Sequence, residues 1–160
     1  AAGRSEISTD DIEAIVGERI AGTPPHIQMS CDIDARPLLV MSDPVLLAEL
    51  IGNLVDNALK YSGERGEVVV RARREADGVI VEIEDSGPGI PQDEREKAFE
   101  RFYRVPGRNA APGSGLGLTI VKAIADLLNV CIVLGDSATL GGLKASVHVC
   151  GRQMRTGSWD

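Results

Sequence analysis

The chain has 160 residues, enough for one domain that buries about 70% of its extended surface, and its 43% hydrophobic and 26% charged content is ordinary for a soluble globular protein. Aromatics are only 3%, so aliphatic side chains must build the core. The net charge of −7 argues against a general binder of nucleic acid or anionic membrane, and neither a signal peptide nor an apolar run near the ~18 residues of a membrane span is present.

In chain order, "STDDIEAIVGERI" starts with cap-type residues and runs into apolar positions at helical spacing, predicting a helix near residues 10–20 that "GTPP" stops. "HIQMSCDI" alternates as a strand does, and "PLLVM" is a short second strand. Ser42, Asp43 and Pro44 supply a cap and a first-turn proline for "LLAELIGNLVDNALKYS". "EVVVRAR" and "VIVEIED" predict a hairpin around "READG". "PQDEREKAFERFYR" reads as helical and "VPGRNAAPGSG" as a mobile loop. A further helix, "LGLTIVKAIADLL", precedes the late strands "VCIVLGD" and "LKASVHV", and the tail "GRQMRTGSWD" has no periodicity. This order predicts an α+β, two-layer α/β sandwich, a mixed sheet with helices over one face. The odd and dispersed Cys31, Cys131 and Cys150 read as buried thiols in a reducing compartment rather than a zinc site.

Chemistry could reside in four places. In the helix at 46–62, Glu49, Asn53, Asp56, Asn57 and Lys60 fall within an arc of roughly 100°, a narrow polar stripe expected where a mostly buried helix walls a groove. Val79, Val81, Ile83 and Asp85 share the more apolar face of one strand, so Asp85 ends an inward row. It either opens the turn "DSGPG" or accepts a hydrogen bond from a ligand amino group, with Gly87 and Gly89 allowing close approach. "FERFYR" is read either as a packing stripe with solvated arginines or as a phosphate contact. "GSGLGL", with Gly113, Gly115 and Gly117 before a helix, is either a phosphate cradle or a linker, and it matches neither the P-loop nor the dinucleotide fingerprint.

The order of these pieces resembles the catalytic ATP-binding domain of sensor histidine kinases, in the gyrase, heat-shock-chaperone, kinase and mismatch-repair ATPase superfamily. "NLVDNALKYS" looks like its N box, "DSGPGIP" its G1 box, "FERFYR" its F box and "GSGLGL" its G2 box, and "GDSATLGGLKASVHV" is similar to its closing strands. The likeness runs from about residue 7 to 149, which implies a Bergerat-type fold, with residues 1–150 as the catalytic domain and 151–160 as a tail.

The resemblance implies Mg-ATP as the ligand pair. Asn57 would hold Mg²⁺ with Asn53 as companion, Lys60 would reach the phosphates and Tyr61 would pack near the base. Asp85 would accept from the adenine amino group, Gly87, Gly89 and Ile90 would line the base, and Phe99 and Arg104 would come from the F box. Gly113, Gly115, Leu116, Gly117 and Leu118 would close over the triphosphate, and Glu49 is a candidate for positioning the acceptor histidine. That acceptor would lie on a dimerisation domain absent here, since neither His26 nor His148 resembles the acceptor motif. The phosphoryl group would then pass to a response regulator receiver domain. The domain itself would be cytoplasmic, without direct membrane insertion and without nucleic acid as a partner, its parent anchored in the bacterial inner membrane.

Asn53 stands where water-splitting relatives carry a glutamate base, so hydrolysis should be slow. After the last helix, Leu128-Asn129-Val130-Cys131 replaces the family's His-Gly-Gly, and Asn129 is expected to adopt the left-handed cap. The alternatives are an anti-sigma-factor-type serine kinase of the same fold, a gyrase or chaperone ATPase, and a regulator that binds ATP without transferring phosphate.

Overall fold

The computed structural model describes residues 5–22, 26–33, 40–75, 78–100, 103 and 117–150. Strand β1 (Ser5–Ile7) leads into helix α1 (Thr9–Ala21), whose start is closed reciprocally: the Ser8 N–H donates to Asp11 Oδ2 at 2.8 Å and the Asp11 N–H to Ser8 Oγ at 3.4 Å. Ile12 and Val16, one turn apart, are its buried anchors. After β2 (Gln28–Ile33) and β3 (Val40–Ser42) comes α2 (Pro44–Tyr61). The cap expected for α2 is Asp43, whose Oδ1 accepts from the N–H groups of Val45 at 2.9 Å and Leu46 at 3.0 Å, and Pro44 follows in the first turn.

Strands β4 (Glu67–Glu75) and β5 (Gly78–Asp85) form the hairpin, followed by α3 (Gly117–Leu128), β6 (Cys131–Asp136) and β7 (Leu143–Cys150). The main sheet has the order β2-β4-β5-β7-β6, with β2 parallel to β4 and the other neighbours antiparallel. A separate two-stranded pair joins β1 to β3, with Glu6 opposite Met41, a pairing too short to show in the sequence pattern. The mixed sheet and helices are the α+β sandwich expected. Leu47, Leu50, Ile51, Leu54 and Val55 of α2 pack with Val121 and Ile124 of α3 on one sheet face, against Val68, Val70, Val81 and Val147.

The opposite face of β5 is buried too. Glu82 and Glu84 are 6% and 5% exposed, because the strand lies between β4 and β7 and its carboxylates are covered by partners. Arg73 meets Glu82 at 2.6 Å with Lys144 at 3.5 Å, and Arg71 meets Glu84 at 3.0 Å while the Ser137 hydroxyl donates to Glu84 at 2.8 Å. A buried carboxylate needs such company. The bond from its guanidinium to Glu82 is the main reason that Arg73 holds its proton more firmly than a free guanidinium does.

Two expectations are corrected. "PQDEREKAFERFYR" is no continuous helix: its described part holds two 3-10 turns, Gln92–Glu94 and Lys97–Phe99, separated by Arg95 and Glu96. Cys31 and Cys131 are exposed rather than buried, since both lie on the edge strands β2 and β6. Asp85 does end an inward row, but the row behind it is equally enclosed. The expectation for Asn129 is met: it has φ 59°, the Val130 N–H reaches the Ala125 carbonyl at 3.0 Å and the Asn129 N–H reaches Asp126 at 3.3 Å. The loop "VPGRNAAPGSG" and the tail lie outside the described residues.

Candidate nucleotide-binding site

On α2 the buried positions are Leu47, Leu50, Ile51, Gly52, Leu54, Val55 and Ala58. The polar stripe occupies the remaining arc: Glu49, Asp56 and Lys60 are exposed, and Asn53 and Asn57 half-buried. The Asn53 Nδ2 donates to the Glu49 carbonyl at 2.7 Å and lies 3.4 Å from its Oε1. A carbonyl can only accept, so the amide's nitrogen faces the helix turn and its oxygen faces away from it.

The C-terminal end of α2 meets the C-terminal end of β5. Asp85 is 2% exposed, and its Oδ1 accepts from the N–H of Gly87 at 2.9 Å and of Leu143 at 3.2 Å. The carboxylate therefore shapes the turn and joins it to β7. A Cβ on Gly87 would lie 2.2 Å from the Tyr61 carbonyl oxygen, so the protein's own helix end requires glycine there. Gly89 takes φ 72°. Gly142 is pressed from the other side, where a Cβ would meet the Asp85 carbonyl at 2.3 Å and its Oδ1 at 2.5 Å. The turn before β7 is itself tied down, by the Ser137 N–H to the Gly142 carbonyl at 2.8 Å and the Leu140 N–H to Ser137 Oγ at 3.0 Å.

Beyond the turn, Ile90 is buried and Phe99 half-buried against the core. The Arg95 Nε donates to the Ile90 carbonyl at 3.0 Å while its other end meets Asp136 at 2.8 Å. Tyr103 donates to Glu94, and that bond holds its phenol above the ordinary 10.0. The Thr119 hydroxyl donates to the Phe99 carbonyl at 2.9 Å, which brings the start of α3 to the F-box turn, with Gly117 opening that helix and Leu118 half-buried on the core.

The structure thus gathers Asn57, Lys60 and Tyr61 at the end of α2 beside Asp85, Gly87 and Gly89, while Glu49 lies three turns back along the same stripe. Arg104, Gly113, Gly115 and Leu116 lie outside the described residues. Sequence reading missed Gly142 and Leu143 as the wall behind Asp85. The "GGLK" turn was visible, but its contact with a residue some 58 positions away was not. Among the described residues, a cleft of about 720 Å³ lies between α3 and β6 with Phe99 on its wall, and one of about 450 Å³ lies between α1 and the start of α2.

Residues 42–152 match the family described as histidine kinase-, DNA gyrase B-, and HSP90-like ATPase. The chain belongs to that family. Among curated relatives, sensor protein kinase PmrB of Pseudomonas aeruginosa is 40% identical over 110 residues, which are 69% of this chain and 23% of that protein. Sensor protein QseC of Escherichia coli is 40% identical over 121 residues, 76% of this chain and 26% of its own. The chain thus spans about a quarter of the length of these relatives. The solved mycobacterial sensor histidine kinase MprB superposes with a TM-score of 0.81 at 32% identity, over 92% of this chain and 99% of that one. These likenesses support the ATP-binding domain of a sensor histidine kinase over the serine-kinase, gyrase-type and non-catalytic alternatives.

Proposed function

We propose that this chain binds Mg-ATP along α2 and donates the γ-phosphoryl group to a histidine on a dimerisation domain of the same parent, for onward transfer to a response regulator receiver domain. The observation that carries the reading is the junction of α2 with the turn after β5: a buried carboxylate at the end of a central strand, next to a helix end carrying two amides and a lysine. Asp85 would take the adenine amino group, which favours adenine over guanine because guanine offers a carbonyl at that position. Tyr61, Gly87, Gly89, Ile90 and Phe99 would surround the base, and Leu118 with Gly113, Gly115, Leu116 and Gly117 would cover the phosphates.

The donor set suits magnesium. Asn53 turns a neutral hard oxygen away from its helix, Asn57 stands one turn on, and among the described residues no group of three His, Cys, Asp or Glu could hold a metal instead. Magnesium keeps waters and takes most of its ligands from phosphate oxygens, so one or two amides suffice. When bound it would offset charge on the phosphates. Lys60 and Arg104 would do the same on the transferred group, and Glu49, which already contacts Asn53, would act beside the acceptor histidine. Asn53 cannot take a proton from water, which favours transfer over hydrolysis.

No described helix is long and apolar enough to cross a membrane. We place the domain on the cytoplasmic side of a membrane-anchored parent, where ATP and a receiver domain are available.

Calorimetry with Mg-ATP on the native chain and on Asp85→Ala, with GTP as control, tests the binding step. A γ-labelled transfer assay with an added histidine-bearing dimerisation domain tests the chemistry. ATP-selective binding lost in the variant, followed by label on the added domain, is the expected result. A folded native chain that binds neither nucleotide overturns the reading.

A further inference from the structure

We infer that Ser86 is a positioning residue that sets the span between the adenine end and the phosphate end of the site. The inference rests on the nucleotide reading above. The Ser86 hydroxyl donates to the Ser62 carbonyl at 3.0 Å, at the C-terminal end of α2, and accepts from the Glu67 N–H at 2.9 Å, at the start of β4. Its own N–H donates to the Glu67 carbonyl at 3.1 Å. One small side chain therefore joins the helix that carries Asn53, Asn57 and Lys60 to the strand end that carries Asp85, its chain neighbour.

The surrounding packing makes this seam tight. Gly87 presses its backbone on the last carbonyl of α2, and a Cβ on Gly66 would fall 2.3 Å from Ser62 Oγ, so the loop closing on α2 has no room to shift inward. Ser62 is 4% exposed and turns its own hydroxyl back to the Leu59 carbonyl at 3.2 Å. Along this seam, Ser86 thus supplies the side-chain bond that crosses from helix to strand.

A nucleotide that reaches from Asp85 to the amides of α2 makes its second contact as an intramolecular event, and the gain depends on the two ends being held at the right separation. Adenosine, which lacks phosphates, uses the Asp85 end alone. Loss of the Ser86 hydroxyl leaves the Glu67 N–H and the Ser62 carbonyl without their bridge and lets the ends move independently. The larger loss should fall on the ligand that needs both ends.

The test measures dissociation constants for Mg-ATP by calorimetry and for adenosine by titration followed by NMR, on the native 160-residue chain, Ser86→Ala and Ser86→Thr. The expected result is about a tenfold weaker affinity for Mg-ATP in Ser86→Ala, from the lost bonds, with adenosine changed less than about twofold and Ser86→Thr near the native chain. Ser86→Cys, similar in size but a poorer hydrogen-bonding group, replaces the alanine variant if that one does not fold. Equal losses for both ligands, or none, would reduce Ser86 to a general structural role and overturn the inference while leaving the nucleotide reading intact. A native chain that binds no Mg-ATP overturns both.

Discussion

Asp85 holds the turn after β5 through Oδ1, which accepts from Gly87 and Leu143, and in our reading also meets the adenine amino group. Asparagine at this position can keep the oxygen toward the two N–H groups but sets an amide nitrogen where a charged acceptor was. Asp85→Asn should therefore fold normally and bind Mg-ATP on the order of 10- to 100-fold more weakly, as read by calorimetry; unchanged affinity would remove adenine from Asp85. Gly142 makes a complementary case. Its missing Cβ is replaced by backbone atoms of Asp85 and Gly87, which cannot swing aside as a long side chain would. Gly142→Ala should lower stability by about 1–3 kcal/mol through overpacking and weaken ATP binding in step. Gly135→Ala, whose Cβ would find only the Lys144 carbonyl at 4.0 Å, should do neither. Thermal melts paired with ligand titration separate the two glycines.

At the scale of elements, α2 divides its circumference between core and groove. Its start depends on Asp43, whose Oδ1 accepts two N–H groups that the helix itself cannot satisfy. Asp43→Ala should cost about 1 kcal/mol, which in a domain of this size lowers Tm by roughly 2–4 °C; no change in the melt would show that the cap is dispensable. The turns after Ile90 show what helical periodicity cannot foresee. "PQDEREKAFERFYR" has good helix formers, yet Arg95 is drawn to the Ile90 carbonyl and Asp136, Tyr103 to Glu94, and the Phe99 carbonyl to Thr119. Two of these bonds, to Asp136 and to Thr119, tie the segment to distant parts of the chain, and it forms short turns instead of a helix.

The bond from Tyr103 to Glu94 also has a pH signature. The phenol's folded value lies above its ordinary 10.0, so its contribution is fully present below that value and is lost as pH rises through the folded one. Melts of the native chain and Tyr103→Phe should differ between about pH 8 and pH 10 and converge above that range. A gap between the two that stays constant with pH would count against it.

For the whole molecule, our reading places the acceptor histidine on another domain, although this chain carries two histidines of its own. His26 is exposed in a turn after α1, and His148 sits half-buried in β7 opposite Ile80 and Cys131. His148 thus pairs near the start of β5, five residues short of Asp85. The isolated chain, incubated with γ-labelled ATP, should carry no acid-labile phosphohistidine, and label should appear only on an added dimerisation domain. Phosphate on His26 or His148 would contradict this division of labour.

The fold class, the helices α1 to α3, the central hairpin and the order of the four boxes were legible because each rests on local pattern: periodicity, caps and glycines at fixed spacing. Even the left-handed turn at Asn129 could be read from one residue type following a helix. The same local signals misled where partners distant in sequence prevailed. Glu82 and Glu84 alternate with the apolar row that ends at Asp85, yet they too are buried, enclosed by Arg71, Arg73, Lys144 and Ser137. Cys31 and Cys131 looked like core thiols until β2 and β6 proved to be the sheet's edges.

By itself, then, the sequence determined which chemical groups are present and on which element each one rides, because those follow from neighbours within a turn or two of the chain. Only the tertiary structure decided that Gly142 and Leu143 stand behind Asp85 and that Ser86 bridges α2 to β4. Such contacts join residues tens of positions apart, and their geometry is set by strand order and helix packing, which no local spacing encodes.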